Sequence, residues 1–341
     1  MVSDSTFSRI VVTGASGFIG GHLAETLYSR GYHVRAVYRR ADPPEKLVRL
    51  ACDRFELFRA DLTEEEPLSR MVAGMDAVMH VAARASDWGP YADYERDNYT
   101  ATVRLLDAAR NAGCRKMVLT SSIAVHGFGP HVDTTEEGPY YRHIAPYQVT
   151  KKMAEDYALS QNGKGISVTV IRPGNVLGPG DTTVTFPILD GMERGLMGYI
   201  SGGRSLTCPV FVGDLVNAHI LALETAAANG LVFNITGGER VTWKEYIQEA
   251  ARCLGIRAPR KSVPGPLAYG LAALLEAVYH AVSAKNAPLL TRYRVAQLMY
   301  NFHFAVDRAG TLLGYRPQVT WRDALRLTVE DYRKLNGTRG K

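Results

Sequence analysis

The sequence predicts an α/β protein in which a doubly wound parallel sheet carries a smaller, mostly helical lobe. Between residues 10 and 173, short β-branched or apolar runs alternate strictly with segments of helical periodicity, which is typical of such sheets. Beyond Pro173 the alternation ends, and Gly- and Thr-rich loops are followed by helices. A chain of 341 residues with 46% hydrophobic composition can form one large domain or two smaller ones.

The first predicted strand, residues 10–12, runs into a glycine-rich turn. Gly14, Gly17 and Gly20 follow the strand, and a helical pattern begins at once. Outward-pointing backbone N–H groups and the positive end of the helix bind a pyrophosphate well, and glycine lets the pyrophosphate approach closely. We therefore predict a dinucleotide site at this turn, the alternative being a purely structural turn.

The second predicted strand, residues 32–38, ends at Arg39 and Arg40. An acidic residue at this position would bind the 2′-hydroxyl of an NAD ribose, whereas arginine pairs with the 2′-phosphate of NADP. Because no Asp or Glu stands there, the sequence predicts NADP bound by Arg39. NAD is kept as an alternative, in which case both arginines are solvated.

The third strand, 55–59, leads to Asp61, and the fourth, 77–81, leads to Ala82 and Ala83, after which a loop is predicted over residues 84–97. Small residues at the end of a central strand leave room for a cofactor where the strand order reverses. We therefore expect the cofactor to cross Ala82 and Ala83, although close packing alone would also select alanine.

The fifth strand, 116–120, is followed by Ser122 and then by a long polar loop predicted up to Pro146, and a helix begins near Tyr147. Tyr147 and Lys151 are four residues apart and share a helix face. A tyrosine needs a pKa shift of about 2 to 3 units to act as an acid or base near neutral pH. The ammonium of Lys151 and an oxidised nicotinamide would both favour the phenolate. Ser122 is positioned to hydrogen-bond the substrate oxygen, although a Tyr-Lys pair taken alone is usually a surface coincidence.

The domain boundaries follow from where the alternation breaks. Residues 1–175 form the predicted dinucleotide-binding domain, 210–236 return to it, and 176–209 with 237–335 form the substrate lobe. We expect this lobe to close over the carboxyl ends of the strands, with substrate contacts at Trp88, Asn175 and Phe186.

Composition excludes several other classes of protein. The net charge of +6 is modest, and basic residues occur in scattered pairs, which argues against a nucleic-acid partner and fits an anionic cofactor. The four cysteines lie far apart without metal-binding spacing, and no secretory segment opens the sequence. We expect a cytoplasmic protein without a metal site, and a homodimer is left open.

Residues 267–284, from Leu267 to Ala284, are apolar except at Glu276 and His280. The two polar side chains make a membrane span a poor prediction for this segment. The sequence favours a helix packed in the small lobe, and the alternative is a peripheral helix lying at a membrane interface.

The ordered motifs TGASGFIG, HVAA, TSS, YQVTK and RPGNVLGPG resemble the extended short-chain dehydrogenase/reductase superfamily over nearly the whole chain. This resemblance implies a Rossmann domain with Ser122, Tyr147 and Lys151 as the catalytic triad, and Lys151 would also bind the nicotinamide ribose. It further implies cofactor contacts at Ser16, Phe18, Ile19, Asp61, Leu62, Val81, Pro173 and Val176.

Within the superfamily, LTCPVFVGDLVNAHILALE, TSSIAVHG and the C-terminal tail are similar to the 3β-hydroxysteroid dehydrogenase branch, with its sterol dehydrogenases and bacterial β-ketoacid-lipid reductases. Sugar-nucleotide epimerases and dehydratases typically carry an arginine seven residues before the equivalent of Asp214, where this chain has Thr207. A further departure from the wider pattern is His126, where many members have tyrosine.

Three functions remain as hypotheses. The first is an NAD(P)-dependent oxidoreductase that interconverts a secondary alcohol and a ketone on a sterol-like or long-chain β-hydroxy acid substrate. The second is an NDP-sugar epimerase or dehydratase with tightly bound NAD, in which Arg204 or the pair Arg292 and Arg294 would contact the diphosphate. The third is a cofactor-sensing binding protein without activity.

Overall fold

The computed structural model describes residues 7–339. Numbered in chain order, the strands are β1 Arg9–Thr13, β2 His33–Tyr38, β3 Phe55–Arg59, β4 Ala77–His80, β5 Lys116–Thr120, β6 His131–Thr134, β7 Ser167–Pro173, β8 Asn175–Leu177, β9 Tyr199–Ile200, β10 Leu206–Thr207, β11 Pro209–Phe211, β12 Val232–Ile235, β13 Val241–Thr242, β14 Ser262–Val263 and β15 Phe302–Phe304. The α-helices are α1 Phe18–Ser29, α2 Glu45–Val48, α3 Glu66–Val72, α4 Tyr91–Tyr94, α5 Ala101–Asn111, α6 Pro146–Ser160, α7 Thr185–Glu193, α8 Val212–Glu224, α9 Trp243–Leu254, α10 Gly265–Ala281, α11 Arg292–Met299 and α12 Trp321–Arg339.

The central sheet has seven strands in the order β12-β7-β5-β4-β1-β2-β3, all parallel. Strand β1 pairs with β2 on one side and β4 on the other, so the order of the chain reverses at β1. Ligands of such sheets bind outside the carboxyl ends of the strands at this reversal. The predicted α/β class and the doubly wound sheet are confirmed.

Both faces of the sheet are covered by helices, as parallel sheets require. On one face, Val12 and Val34 share a buried cluster with Leu23 of α1 and Leu215 of α8. On the other face, strand residues pack with helices α3, α5 and α6. The sheet is thereby fixed between two apolar layers. The carboxyl ends of its strands lie outside these layers and are available to form a site.

The chain returns to the sheet after its first excursion into the small lobe. Strand β12 extends the sheet beside β7, and β11 pairs in parallel with β8, with Pro209 opposite Asn175. A separate buried cluster joins α7, α9 and α12 and includes Leu189, Tyr246 and Trp321. The small lobe therefore has a core of its own.

Two predicted loops contain regular structure. The loop expected over residues 84–97 holds α4 and then a π-helical turn, Glu95–Thr100, that continues into α5. The polar loop expected before Pro146 holds β6, which pairs with the distant strand β15. Both predictions of loop were wrong because a four-residue element lacks a measurable period, and the pairing of β6 depends on residues far away in the sequence.

Candidate active site

The glycine turn closes tightly between β1 and α1. Gly14 has a φ of +69°, and a Cβ there would lie 2.9 Å from the Cα and backbone N of Ala82. A Cβ on Gly20 would lie 2.2 Å from the carbonyl oxygen of Gly14. Gly17 is exposed, and apart from its neighbours in the chain the nearest atom to a Cβ built there is the Gly14 oxygen, at 3.2 Å. The turn therefore leaves backbone open at the start of α1, which fits the pyrophosphate of a dinucleotide.

A buried hydrogen-bond chain fixes the ends of β1 and β4. The Thr13 hydroxyl accepts hydrogen bonds from the backbone N–H groups of Val81 and Ala82, at 3.1 and 3.2 Å. Its own proton is then available for Nδ1 of His80, 2.8 Å away, while His80 Nε2 lies 2.9 Å from the Thr102 hydroxyl. Burial lowers the pKa of His80 to about 3, so the ring is neutral at physiological pH. Sequence reasoning missed the roles of Thr13 and His80.

Two basic side chains lie near the predicted cofactor site, one after β2 and one at the glycine turn. Arg39 Nη1 lies 3.9 Å from Asp61 Oδ2, and the Arg39 side chain is 67% exposed. Asp61 Oδ1 accepts hydrogen bonds from the backbone and hydroxyl of Thr63. Burial alone would raise the pKa of Asp61, but these bonds and Arg39 outweigh it and lower the pKa. Lys46, which sequence reasoning also missed, donates to the carbonyl oxygen of Gly17 at 3.4 Å.

The other predicted cofactor residues lie along the carboxyl edge of the sheet. Ser16 belongs to the glycine turn, Phe18 and Ile19 pack against the core, Val81 and Ala82 are half-buried, and Ala83 is exposed. Buried positions are occupied by Leu62, Pro173 and Val176.

Ser122 and Tyr147 meet at the end of β5. The Ser122 hydroxyl oxygen accepts a hydrogen bond from the backbone N–H of Ala124 at 3.1 Å, so its proton is available to a second partner. Burial raises the pKa of Tyr147, and the hydrogen bond from Ser122 opposes the rise. Burial is the larger of the two effects, so the pKa of Tyr147 lies above its ordinary value. An oxidised nicotinamide beside the phenol would favour the phenolate.

Gln148, the neighbour of Tyr147, ties the start of α6 to the segment after Ser122. Its Oε1 accepts the backbone N–H groups of Ile144 and Ala145, at 2.9 and 3.2 Å. Its Nε2 donates to the carbonyl oxygen of Ala124 at 3.2 Å. Sequence reasoning missed this residue, although glutamine at the third position of a helix is a recognised capping signal.

Lys151 lies one turn beyond Tyr147 and is 3% exposed. Its ammonium donates to the carbonyl oxygen of Thr120 at 2.6 Å. Burial lowers the pKa of Lys151 to about 8, and Glu155 opposes this shift. Glu155 itself binds Arg172 of β7, with 2.9 Å between Oε2 and Nε. Two successive turns of α6 therefore bind the sheet, through Lys151 to β5 and through Glu155 to β7, and these bonds hold the triad in place.

An aromatic and aliphatic cluster lies next to this triad. It contains Ile123, which follows Ser122, and its other members include Phe128, Cys208, Ala296 and Phe302, with Ile144, Tyr269 and Tyr293 packed against it. The rings of Phe128 and Tyr293 meet edge-to-face at 4.9 Å. Burial raises the pKa of Tyr293 well above its ordinary value, and the nearby Tyr147 adds to the shift. The surface beside the reacting residues is therefore largely apolar.

The arginines considered for a substrate diphosphate have other partners. Arg292 Nε lies 2.5 Å from Oε2 of Glu276, and Arg294 Nε lies 2.8 Å from Oδ2 of Asp87. Arg204 is exposed. The two arginines of α11 are therefore already neutralised by carboxylates.

The three predicted substrate residues lie in different surroundings. Trp88 stacks on His280 with ring centroids 4.4 Å apart, and its indole N–H donates to Ala284 O. Asn175 binds side chains of the small lobe, described below. Phe186 packs edge-to-face on Tyr332 at 5.3 Å, in the core of the small lobe and not in the cluster beside Tyr147. Its substrate role stays a prediction.

The sequence and the structure both have known relatives. The model of the NAD dependent epimerase/dehydratase family matches residues 10–236. Sterol-4-alpha-carboxylate 3-dehydrogenase, decarboxylating, of Mus musculus is 32% identical, covering 97% of this chain and 92% of that protein. The 2-alkyl-3-oxoalkanoate reductase of Stenotrophomonas maltophilia (strain K279a) is 28% identical, covering 93% and 97%.

Solved structures agree with this relationship. The crystal structure of gox2253 has a TM-score of 0.81 at 26% identity, covering 96% of this chain and 98% of that one. MoeE5 in complex with UDP-glucuronic acid and NAD has a TM-score of 0.75 at 27% identity, covering 96% and 100%. The chain is therefore an oxidoreductase that belongs to the NAD dependent epimerase/dehydratase family, within the 3β-hydroxysteroid dehydrogenase-like branch of the extended short-chain dehydrogenases/reductases.

Proposed function

We propose that this enzyme interconverts a secondary alcohol and a ketone on a bulky hydrophobic substrate, with NADP as its preferred cofactor. The observation that carries the proposal is the apolar cluster around Ile123, Phe128 and Tyr293, which adjoins Ser122 and Tyr147. Apolar and aromatic side chains bind hydrocarbon surface by excluding water from it. A substrate with a large apolar body would therefore be held with its reacting oxygen at the triad.

The protein side of the mechanism follows from the hydrogen bonds. In reduction, Ser122 donates a hydrogen bond to the carbonyl oxygen and Tyr147 donates the proton that makes it a hydroxyl. In oxidation, the Tyr147 phenolate accepts that proton. Lys151 provides a positive charge one turn away, and when bound the cofactor supplies or accepts a hydride at its nicotinamide ring. If the substrate carries a carboxylate β to the new ketone, decarboxylation needs no further residue.

The preference for NADP rests on three cations near the end of β2 and the glycine turn, with arginine and not an acidic residue directly after the strand. Arg39 and Arg40 follow the strand directly, and Lys46 reaches the glycine turn. Arg39 has only a long contact to Asp61, at 3.9 Å, and is free to turn toward a 2′-phosphate. Paired cations of this kind bind phosphate through charge-assisted hydrogen bonds.

The named relatives support the substrate class. One relative is named for the dehydrogenation of a sterol carboxylate, and another for the reduction of a 2-alkyl-3-oxoalkanoate. We propose a sterol-like or long-chain β-hydroxy or β-keto acid substrate for this chain.

The second candidate is an NDP-sugar epimerase or dehydratase, which the likeness to MoeE5 with bound UDP-glucuronic acid favours. Thr207, Arg292 and Arg294 count against it, because the threonine is neutral and both arginines bind carboxylates. A sugar-nucleotide enzyme of this type returns its hydride and would show no net change in nicotinamide absorbance.

We also propose that α10 lies on a membrane surface. Leu267, Leu271, Leu274 and Val278 of α10 share one face with Val282, which directly follows the helix, and these side chains are 46% to 69% exposed. The exposed cations Arg257, Arg260 and Lys261 precede this stripe and Lys285 follows it, which suits anionic lipid. No helix among residues 7–339 is long and apolar enough to cross a bilayer.

The experiment that tests the proposed activity is a reductase assay with NADPH against 3-ketosteroids, long-chain β-keto acids and UDP-sugars. We expect oxidation of NADPH with the first or second group only. Tyr147→Phe should lower kcat by about 10²-fold or more, the loss typical of a missing acid-base group, while NADPH binding measured by fluorescence stays unchanged. Undiminished turnover by Tyr147→Phe, or turnover of UDP-sugars alone, would refute the proposal.

A further inference from the structure

Three neutral polar side chains meet where β8, β10 and α11 converge. Asn175 Nδ2 donates to the Thr207 hydroxyl at 2.7 Å, and Gln297 Nε2 donates to Asn175 Oδ1 at 2.9 Å. Backbone bonds hold this amide triad in place, because Asn175 N–H donates to Cys208 O and the Trp243 indole donates to the backbone oxygen of Gln297. The two amides are therefore oriented before any ligand arrives.

The amide triad keeps hydrogen-bonding capacity for a ligand. Each amide nitrogen has a second N–H, Gln297 has its Oε1, and the Thr207 hydroxyl has a proton to donate. Asn175 and Gln297 are half-buried, whereas Thr207 is 1% exposed. The accessible part of the triad thus offers both donors and an acceptor from groups without charge.

The triad borders the apolar cluster of the active site. Gln297 lies one helical turn after Tyr293 and directly after Ala296, and both of these residues pack in the cluster that contains Ile123. Cys208, which accepts the backbone N–H of Asn175, belongs to the same cluster. A substrate held against this cluster by its hydrocarbon body would therefore reach the triad with a second polar group.

We propose that the amide triad binds a second, neutral polar group of the substrate, such as an ester, ketone, hydroxyl or amide, and that Gln297 determines specificity for it. A diphosphate would meet uncharged partners here, because Arg292 and Arg294 of the same helix bind Glu276 and Asp87. This inference rests on the proposed function, since it assumes a ketone or alcohol substrate.

The experiment compares two matched ketones: a long-chain 3-oxo methyl ester and the corresponding ketone without the ester. For the wild type we expect kcat/KM to be higher for the ester. Gln297→Leu should lower the ester-to-ketone ratio of kcat/KM about tenfold, the loss expected from one neutral hydrogen bond, and the change should appear in KM for the ester.

Thr207→Val provides a second, more conservative variant, and it should lower the same ratio in the same direction. Gln318→Leu is the control, because Gln318 is exposed and its side chain binds only Arg316 O among the described residues. An unchanged ratio in the folded variants, or an equal loss of kcat for ester and ketone, would overturn the inference. If the wild type reduces none of the ketones or steroids, the proposed function itself fails, and this inference with it.

Discussion

At the residue scale, the surroundings of the acid-base group Tyr147 oppose its ionisation. Burial holds the pKa of Tyr147 above its ordinary value, and burial lowers the pKa of Lys151 to about 8. Tyr147 is therefore a neutral phenol at physiological pH, whereas Lys151 keeps most of its positive charge there and loses it at mildly basic pH. Gln148 and Ser122 share Ala124 as a partner, so Tyr147 is placed by backbone contacts that do not titrate.

A prediction at this scale concerns the choice of cofactor. Arg39→Ala should raise KM for NADPH about 10- to 100-fold and leave KM for NADH unchanged, because a charge-assisted hydrogen bond to the 2′-phosphate is lost. The measurement is steady-state kinetics with each cofactor and a ketone substrate. Arg49→Ala is the control, since Arg49 is an exposed arginine paired with Glu45 in the same region. Equal losses for NADH and NADPH would show that Arg39 does not recognise the phosphate.

At the element scale, α10 has two faces with different partners. Ala268 and Ala272 pack with Ile200 and Val295 in a small buried cluster, and buried Glu276 binds Arg292. The opposite face carries the exposed apolar stripe described above. The predicted segment was apolar on nearly all sides, so the sequence favoured packing, yet the structure buries only one face of the helix.

The prediction for this helix is binding to vesicles. The wild type should bind phosphatidylcholine vesicles containing phosphatidylglycerol in a flotation assay, and more strongly than pure phosphatidylcholine. Leu271→Gln/Leu274→Gln should weaken binding about tenfold or more, because two apolar side chains lose their burial in lipid.

Leu196→Gln serves as the control, because Leu196 is 61% exposed and lies outside α10. The same binding by the double variant would contradict a membrane role. A double variant that instead loses a concentration-dependent dimer in sedimentation would assign the stripe to a second copy of the chain.

At the scale of the whole molecule, buried histidines couple stability to pH. Burial lowers the pKa of His80 and His126 to about 3 and of His219 to about 4. Their ordinary value is 6.5, so below pH 6.5 the unfolded chain binds protons that the folded chain does not. The contribution of these neutral histidines to the stability of the folded state is complete above pH 6.5 and is lost as pH falls toward 4. Glu136 and Asp214, whose pKa values burial raises, oppose part of this loss.

We therefore expect the free energy of unfolding, from urea titrations, to fall steeply between pH 6.5 and pH 4. Each buried histidine contributes a slope of at most about 1.4 kcal/mol per pH unit. His219→Gln should make the slope shallower by about one proton, and His33→Gln, at an exposed position, is the control. A slope that His219→Gln leaves unchanged would mean that His219 does not stay neutral in the folded protein.

The sequence by itself determined the sheet, the glycine turn and the relation of Tyr147 to Lys151. These depend on local periodicity and spacing: three glycines after a strand, or two side chains one helical turn apart, have one geometry wherever they occur. Residues such as Thr13 and His80 were missed because their hydrogen bonds join segments 67 residues apart.

Only the tertiary structure decided what surrounds the reacting groups. Arg292 and Arg294 were candidates for a diphosphate until their carboxylate partners, 16 and 207 residues away, were in place. The amide triad likewise joins Asn175 to Gln297 across 122 residues. Ion pairs and apolar contacts join residues that are distant in the sequence. Which groups of this site are neutralised or buried is therefore decided only by the packing of the two lobes.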